Sequence, residues 1–400
     1  MKRTIAILLA AILMIGILTG CGGTKTETPA ATEAPAATEA PKATEAPKAT
    51  EAPKATEAPA PTEAPAPAGP RTVTDVLGRS VEIPGEVNEI VGLGSAARFI
   101  VYAGAAEKVV GLSELEIKGD PGMPFAYAAH KYFANCTAVS SGGSGDTVYT
   151  EELVVLDPEV IIMQTSEAAK ADELQTQLEI PVIAITANGF TDKKFQDSLM
   201  VIGEVAGTAE HAETVCKAIQ GWIDDMNERT KDIPEEEKPA VYNGGMGFRG
   251  PHGFEGTSAK YPPFVAINAK NVADETGEKG AFLVDLEQVT VWDPDIIFLN
   301  PSNMYLVNED YATNKAFYDN LRAVQEGKLY SQVNFNYFST NMELAIADAY
   351  YAGTIIYPEQ FADVDFNAKA EEIFNTMIGM DYLKVLDDNG IGFGQMTIGE

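Results

Sequence analysis

Glu287-Gln-Val-Thr-Val-Trp-Asp-Pro-Asp-Ile-Ile-Phe-Leu299 restates, 136 residues on, a segment met earlier as Glu151-Glu-Leu-Val-Val-Leu-Asp-Pro-Glu-Val-Ile-Ile-Met163. Each copy reads as a short helix with a carboxylate in its first turn, an Asp-Pro break that ends the helix, and an apolar run of buried-strand length. An αβ unit used twice at domain-sized spacing predicts an α/β protein of two similar lobes, each a parallel sheet covered by helices. Two such lobes leave a cleft between them.

Outward toward the amino terminus, Lys2-Arg3, an apolar run from Ile5 to Leu18 and Leu18-Thr-Gly-Cys21 follow one another. A basic start with an apolar run this short reads as an export signal, residues 1–20, rather than a membrane-spanning helix. The ending resembles a bacterial lipobox, which implies that Cys21 is the acylated residue anchoring the mature chain to the cell membrane. Residues 21–70 carry this cysteine and a tether with six Thr-Glu-Ala-Pro units starting at Thr32, Thr38, Thr44, Thr50, Thr56 and Thr62. Recurrent proline and the lack of an apolar face make it an extended spacer. Residues 71–400 hold 22 Lys or Arg against 52 Asp or Glu, a formal charge of −30. So acidic a surface repels nucleic acid and anionic lipid and disfavours both as binding partners; no nucleic acid is expected. Cys136 and Cys216 are the remaining cysteines; one disulfide is arithmetically open, and Cys216, in a helical pattern, reads as a buried thiol.

Residues 71–194 form the expected first lobe. It opens with Thr74-Asp-Val-Leu-Gly-Arg-Ser-Val-Glu-Ile-Pro84, then Ile90-Val-Gly-Leu-Gly-Ser95 and Lys108-Val-Val-Gly-Leu112. Gly92-x-Gly94-x-x-Ala97 matches a dinucleotide fingerprint on paper, yet any tight βα turn produces it, and no cofactor is expected. These segments, with the two Glu-x-x-x-x-x-Asp-Pro units, resemble the substrate-binding proteins of bacterial ABC importers for ferric siderophores, haem and vitamin B12. The likeness runs from about Val73 to Met377. It implies two Rossmann-like lobes joined by one long helix, a ligand cleft between lobes, and a monomeric extracytoplasmic receptor rather than an enzyme. Its partners would be an iron chelate or corrinoid and the importer's permease. In that family a glutamate of each lobe pairs with permease arginines, and Glu151 and Glu287 match those positions.

Helical periodicity predicts helices at Ala168–Leu178, through residues 195–232 as the inter-lobe linker, at Met342–Ile356 and at Asn367–Ile378, with residues 233–400 as the second lobe. Ligand contacts belong past the carboxyl ends of strands and on long loops with convergent aromatic and polar groups. The expected cleft is therefore residues 94–98, 140–149, 242–261, 300–305 and 334–337. Its candidate ligand residues are Ser95, Arg98, Tyr149, Tyr242, Arg249, His252, Tyr261, Asn300, Tyr305, Asn336 and Tyr337. Arg249 suits a carboxylate or catecholate acceptor, and His252 or Tyr261 a haem iron. Zinc or manganese capture needs several imidazoles, and with only His130, His211 and His252 no metal site is expected. A hydrolase reading would rest on Gly142-Gly-Ser-Gly145, which fails Gly-x-Ser-x-Gly because residue 146 is Asp. Its discriminator is a serine or carboxylate beside His130 or His252.

Overall fold

The computed structural model describes residues 69–143, 146–187 and 189–399. The export signal, Cys21 and the tether up to residue 68 lie outside the described residues, as do Ser144 and Gly145. The strands are β1 (Arg71–Thr74), β2 (Ser80–Ile83), β3 (Ile90–Leu93), β4 (Val109–Ser113), β5 (Thr137–Ser140), β6 (Val160–Gln164) and β7 (Val182–Ile185), then β8 (Ala240–Gly244), β9 (Gly256–Ala259), β10 (Lys270–Asn271), β11 (Gly280–Leu283), β12 (Ile296–Leu299) and β13 (Leu329–Ser331). In the first half of the chain the helices are α1 (Ala97–Tyr102), α2 (Glu114–Ile117), α3 (Pro124–Ala128), α4 (His130–Phe133), α5 (Thr150–Leu156), α6 (Ala168–Leu178), α7 (Lys193–Ala206) and α8 (Ala209–Thr230). The second half adds α9 (Pro262–Ala266), α10 (Leu286–Trp292), α11 (Met304–Asn320), α12 (Arg322–Gln325), α13 (Met342–Ile356), α14 (Phe366–Ile378) and α15 (Leu383–Asp388).

The duplication seen in sequence is a duplication in space. Five parallel strands run in the order β5-β4-β3-β6-β7 in the first lobe, and four parallel strands in the order β10-β8-β12-β13 in the second. Ile90 lies beside Val160 in one sheet and Val241 beside Ile296 in the other, so the central strand pairs correspond. Strands such as Ile90–Leu93 and Ile296–Leu299 are buried throughout because helices cover both faces of each sheet. In each repeat the αβ turn is made the same way. Asp157 and Asp293 adopt the left-handed conformation at φ 47° and 40°, donate their N–H groups to Leu153 O and Val289 O, and are followed by a proline that cannot continue the helix. Leu153 and Val289 are the fully buried residues that pin α5 and α10 to their sheets, each contributing about 1.5–3 kcal/mol. Asp285 caps α10 by accepting from Glu287 N at 3.0 Å.

Residues 195–232, expected to be helical almost throughout, are two helices, most of α7 and all of α8. The helix stops at Gly207, whose φ of 76° is the usual C-cap geometry, and α7 folds back against α8. Gly203 makes the close approach possible, since a Cβ there would lie 2.7 Å from that of Ala212. Helix α7 packs on α1 and β1, and the 22-residue α8, about 33 Å long, follows it in the chain before β8 opens the second sheet. The chain then returns: α13 and α14 pack on α8, and α14 also reaches α1 and α3 of the first lobe. One continuous core therefore includes Ile100 and Phe195 of the first lobe with Leu344 and Phe374 of the last helices. Cys136 and Cys216 are both free thiols, and burial pushes each up to about 11.

Candidate functional site

Two cavities lie where the carboxyl ends of the strands meet, and Tyr337 stands in the wall of both. The first, about 470 Å³, is bounded by the turn after β3 (Gly94, Ser95), by Leu115 of α2, by Gly143 and Asp146 after β5, and by Tyr337, Phe338 and Ser339 after β13. The second, about 390 Å³, lies between Asp120-Pro-Gly122 of the first lobe and Ser302, Val333 and Asn334 of the second, closed below by Leu386, Asn389 and Ile391. Both volumes fall in the range of small-molecule sites.

Local chemistry fixes each wall. Gly94 has φ 61°, and a Cβ there would sit 2.8 Å from Gln164 O, so the Gly-x-Gly of the sequence serves a tight βα turn. Ser95 follows with φ 68° and donates its hydroxyl to Gln164 Oε1 at 2.5 Å. Asp146 spends its carboxylate on its own loop, accepting from Gly142 N at 2.6 Å and Ser141 Oγ at 3.3 Å. The loop after β13 is a built feature. Val333 N donates to Asp348 at 2.9 Å, Asn336 N to Asn334 at 3.2 Å, Thr340 Oγ to Asn336 at 3.0 Å, and Asn341 N to Phe335 O at 2.7 Å. At its tip Phe338 and Ser339 both have positive φ, 49° and 74°. Left-handed backbone at a bulky side chain is uncommon and concentrates where a ligand is read. Burial and the neighbouring Asp120 both push the Tyr337 hydroxyl above its ordinary range.

Behind the first cavity lies a buried charged group. The Arg98 guanidinium is wholly enclosed, stacks 4.8 Å from the centroid of the Phe125 ring and donates to Phe338 O, while Nε and Nη1 have no hydrogen-bond partner among the described residues. Desolvation lowers its pKa, opposed by Tyr102, Glu116 and Glu343. Glu116 is pushed up to about 7 by burial, against two hydrogen bonds from Ser113 and the field of Arg98. Glu343 is raised by burial too, and accepts from Tyr102 Oη.

The sequence-predicted residues separate accordingly. Ser95 and Tyr337 are brought together on one cavity; Asn336 adjoins it, exposed. Arg98 lies behind the wall, and Tyr149, which lines neither cavity, donates to Glu114 at 3.0 Å. Asn300 is buried beside the second cavity, where it caps Ser302 N at 3.0 Å. Tyr242 and Tyr261 are corrected to core residues. Tyr242 packs on Phe254 and Trp292 with its hydroxyl on Phe254 O at 2.7 Å, and Tyr261 packs between Phe264 and Phe335. Arg249, His252 and Tyr305 line neither cavity. Arg249 is exposed at φ 54° and makes no ion pair among the described residues; His252 stacks 4.2 Å from Phe248 and bonds its carbonyl at 2.9 Å; Tyr305 is 57% exposed. Phe338, Ser339, Leu115 and Asp120–Gly122 were missed. The Asp-Pro-Gly turn was the one signal for them in the sequence.

Among the described residues no three His, Cys, Asp or Glu side chains converge as a metal site. Neither His130 nor His252 is hydrogen bonded to a serine or carboxylate there. A larger cavity of about 560 Å³ lies between α8 and α14, but its charges are spent on one another, Arg229 on Asp225 and Asp363, and Lys369 on Glu372. Glu151 and Glu287 are exposed in the first turns of α5 and α10, and their carboxylates make no ion pair among the described residues. Because each helix runs antiparallel to the strand that follows, its first turn lies at the carboxyl edge of its own sheet, where the cleft opens.

Two duplicated α/β lobes with cavities at their strand ends suit the holding of a small solute. The chain belongs to the periplasmic binding protein family, whose sequence profile matches residues 100–332. It is similar to the molybdate-binding protein MolA of Haemophilus influenzae, 22% identical over 336 residues that span 78% of this chain and 92% of MolA. Among solved structures it resembles a periplasmic solute binding protein from Veillonella parvula, with a TM-score of 0.66 at 21% identity over 81% of this chain and 97% of that one. The TroA-like periplasmic binding protein FepB from Veillonella parvula gives a TM-score of 0.62 at 21% identity, over 82% and 99% of the two chains. Proteins of this family bind a small ligand outside the cytoplasm and deliver it to an ABC transporter's permease. No described helix is long and apolar enough to cross a membrane.

Proposed function

We propose that this protein is a lipid-anchored receptor, held through Cys21, that carries an iron chelate (a ferric siderophore or haem) or a corrinoid to an ABC importer. The observation that carries the reading is the size and make-up of the cleft: cavities of about 470 and 390 Å³ sharing Tyr337, with Phe338 and Leu115 beside them. A five-atom oxyanion such as molybdate would fill a small part of either, whereas a bulky, partly apolar chelate matches pockets of this scale. Native mass spectrometry of the purified receptor against ferric siderophores, haem, cobalamin and molybdate tests it. Retention of molybdate with none of the chelates would overturn the ligand assignment.

Glu151 and Glu287 are read as the two acids that meet basic groups of the permease. Exposed charges of this kind act on encounter and orientation, so replacing either by Ala should leave ligand affinity unchanged and reduce uptake in cells that depend on the receptor. Parallel loss of binding and uptake would assign the acids to the fold or the pocket instead.

A further inference from the structure

We propose that Val155 and Val291 are apolar contacts to the permease, one per lobe, each lying one helical turn beyond its docking acid. The proposal rests on the docking reading of Glu151 and Glu287 and adds the part of the surface that charge does not explain. The duplication equates residues 136 apart, so Glu151, Leu153 and Val155 of α5 correspond to Glu287, Val289 and Val291 of α10. Leu153 and Val289 face inward and are fully buried, whereas Val155 and Val291 are 83% and 77% exposed. Residues four apart share a helix face about 6 Å along the axis. Each lobe thus presents an exposed carboxylate, without an ion pair among the described residues, and a valine beside it.

The fold has no use for these valines. At such exposure they bury almost nothing, and a β-branched residue is a poorer helix former than the Lys, Glu or Gln that would serve a solvated face. A single exposed valine calls for no explanation. The same valine at the same place in both lobes of a surface this acidic does. Val154 supplies the contrast: it is 60% exposed, and its counterpart in the second lobe is the polar Thr290. Two equivalent acid-and-valine patches fit a partner with two equivalent sites, each a cation with an apolar socket one turn away, as a permease of two related membrane subunits would offer.

The test uses the full-length receptor in the cell that makes it, with the photo-reactive p-benzoylphenylalanine at position 155, at 291 or, as a control, at 265, where α9 carries an exposed valine outside the repeat. Light should give adducts with a polytopic permease subunit from 155 and 291 and none from 265. Right-side-out membrane vesicles stripped of receptor then provide the energetic arm, with fluorescently labelled receptor as the probe. Val155→Ser with Val291→Ser should dissociate on the order of tenfold faster or more, equally at about 50 and about 500 mM NaCl, as expected for loss of apolar burial. Glu151→Gln with Glu287→Gln should show a loss that fades at the higher salt. Wild-type dissociation by the valine variant, or equal adducts from position 265, would overturn the proposal. A silent glutamate variant beside a fast-dissociating valine variant would instead remove the charge reading and leave the valines standing.

Discussion

Replacing Glu116 by Gln should change how stability depends on pH, and the structure sets the size of the change. The carboxyl is 1% exposed; one oxygen accepts from Ser113 Oγ at 2.7 Å and Ser113 N at 3.4 Å, and the other has no partner among the described residues. Burial outweighs those bonds and the attraction of Arg98, raising the group from 4.5 to about 7. The folded protein therefore holds a proton that the unfolded chain releases above its ordinary value, and stability falls as pH rises from near 4.5 to near 7, then levels. At about 1.4 kcal/mol per unit, that window amounts to about 3 kcal/mol. Glu116→Gln cannot ionise, so its stability relative to wild type should climb by about 3 kcal/mol between pH 4 and pH 8, on top of any pH-independent cost of the amide. Glu343 and Asp348, also raised by burial, titrate in both proteins and cancel in the difference. Urea titrations at half-unit steps measure it. Parallel profiles would show that Glu116 ionises freely in the folded state and would refute the argument.

Tyr337 is 38% exposed and separates the two cavities, so Tyr337→Ala should weaken whichever chelate the native spectra retain by about tenfold or more, read by titration calorimetry. Unchanged affinity would place the ligand elsewhere. The paired αβ turns make a second comparison. Asp157→Gly should relieve a left-handed non-glycine residue and stabilise by about 0.5–1 kcal/mol. Asp293→Gly should fall short of that gain or reverse it, because Asp293 also accepts from Arg322 N at 3.1 Å and pairs with its guanidinium. Equal effects in chemical denaturation would discard the distinction.

The parts legible in the sequence were those governed by local pattern. The repeated Glu-x-x-x-x-x-Asp-Pro unit gave the lobes their corresponding strands, and Met342–Ile356 and Ala168–Leu178 are helices with the bounds that periodicity assigns. The turn between α7 and α8 was not legible because Gly207 sits inside an otherwise helical pattern, and only its left-handed conformation shows that the chain turns there. Tyr242 and Tyr261 were misplaced because an aromatic residue at a strand end reads the same whether it lines a cleft or fills a core; their burial depends on Phe254, Trp292 and Phe335, which are distant in sequence from one or the other. Phe338 and Ser339 escaped notice since neither residue type advertises positive φ. Nothing in the pattern of α14 says that it will pack against the first lobe.

That last contact governs how far the lobes can move. Residues 338–343 follow the second lobe's sheet in sequence, yet they are tied to the first. Phe338 O accepts from Arg98, Glu343 from Tyr102, Asn341 donates to Gly122 O at 3.2 Å, and Met342 N to Tyr102 Oη at 3.3 Å. Tyr382 Oη adds a bond to Pro121 O at 3.0 Å. A wide closing rotation would have to break these bonds and leave Arg98 and Glu343 buried without partners, a cost of several kcal/mol. Ligand binding should therefore shift the lobes little. Spin labels at the exposed positions of Glu151 and Glu287 would report a change in mean separation below about 2 Å on saturation with ligand, the range of pre-organised complexes. Tyr102→Phe with Asn341→Ala, which removes three of the ties, should broaden the distance distribution of the free receptor. A wild-type shift well above that bound, with no broadening in the double variant, would mean that α8 alone sets the hinge and that the return of the chain onto the first lobe does not restrain it.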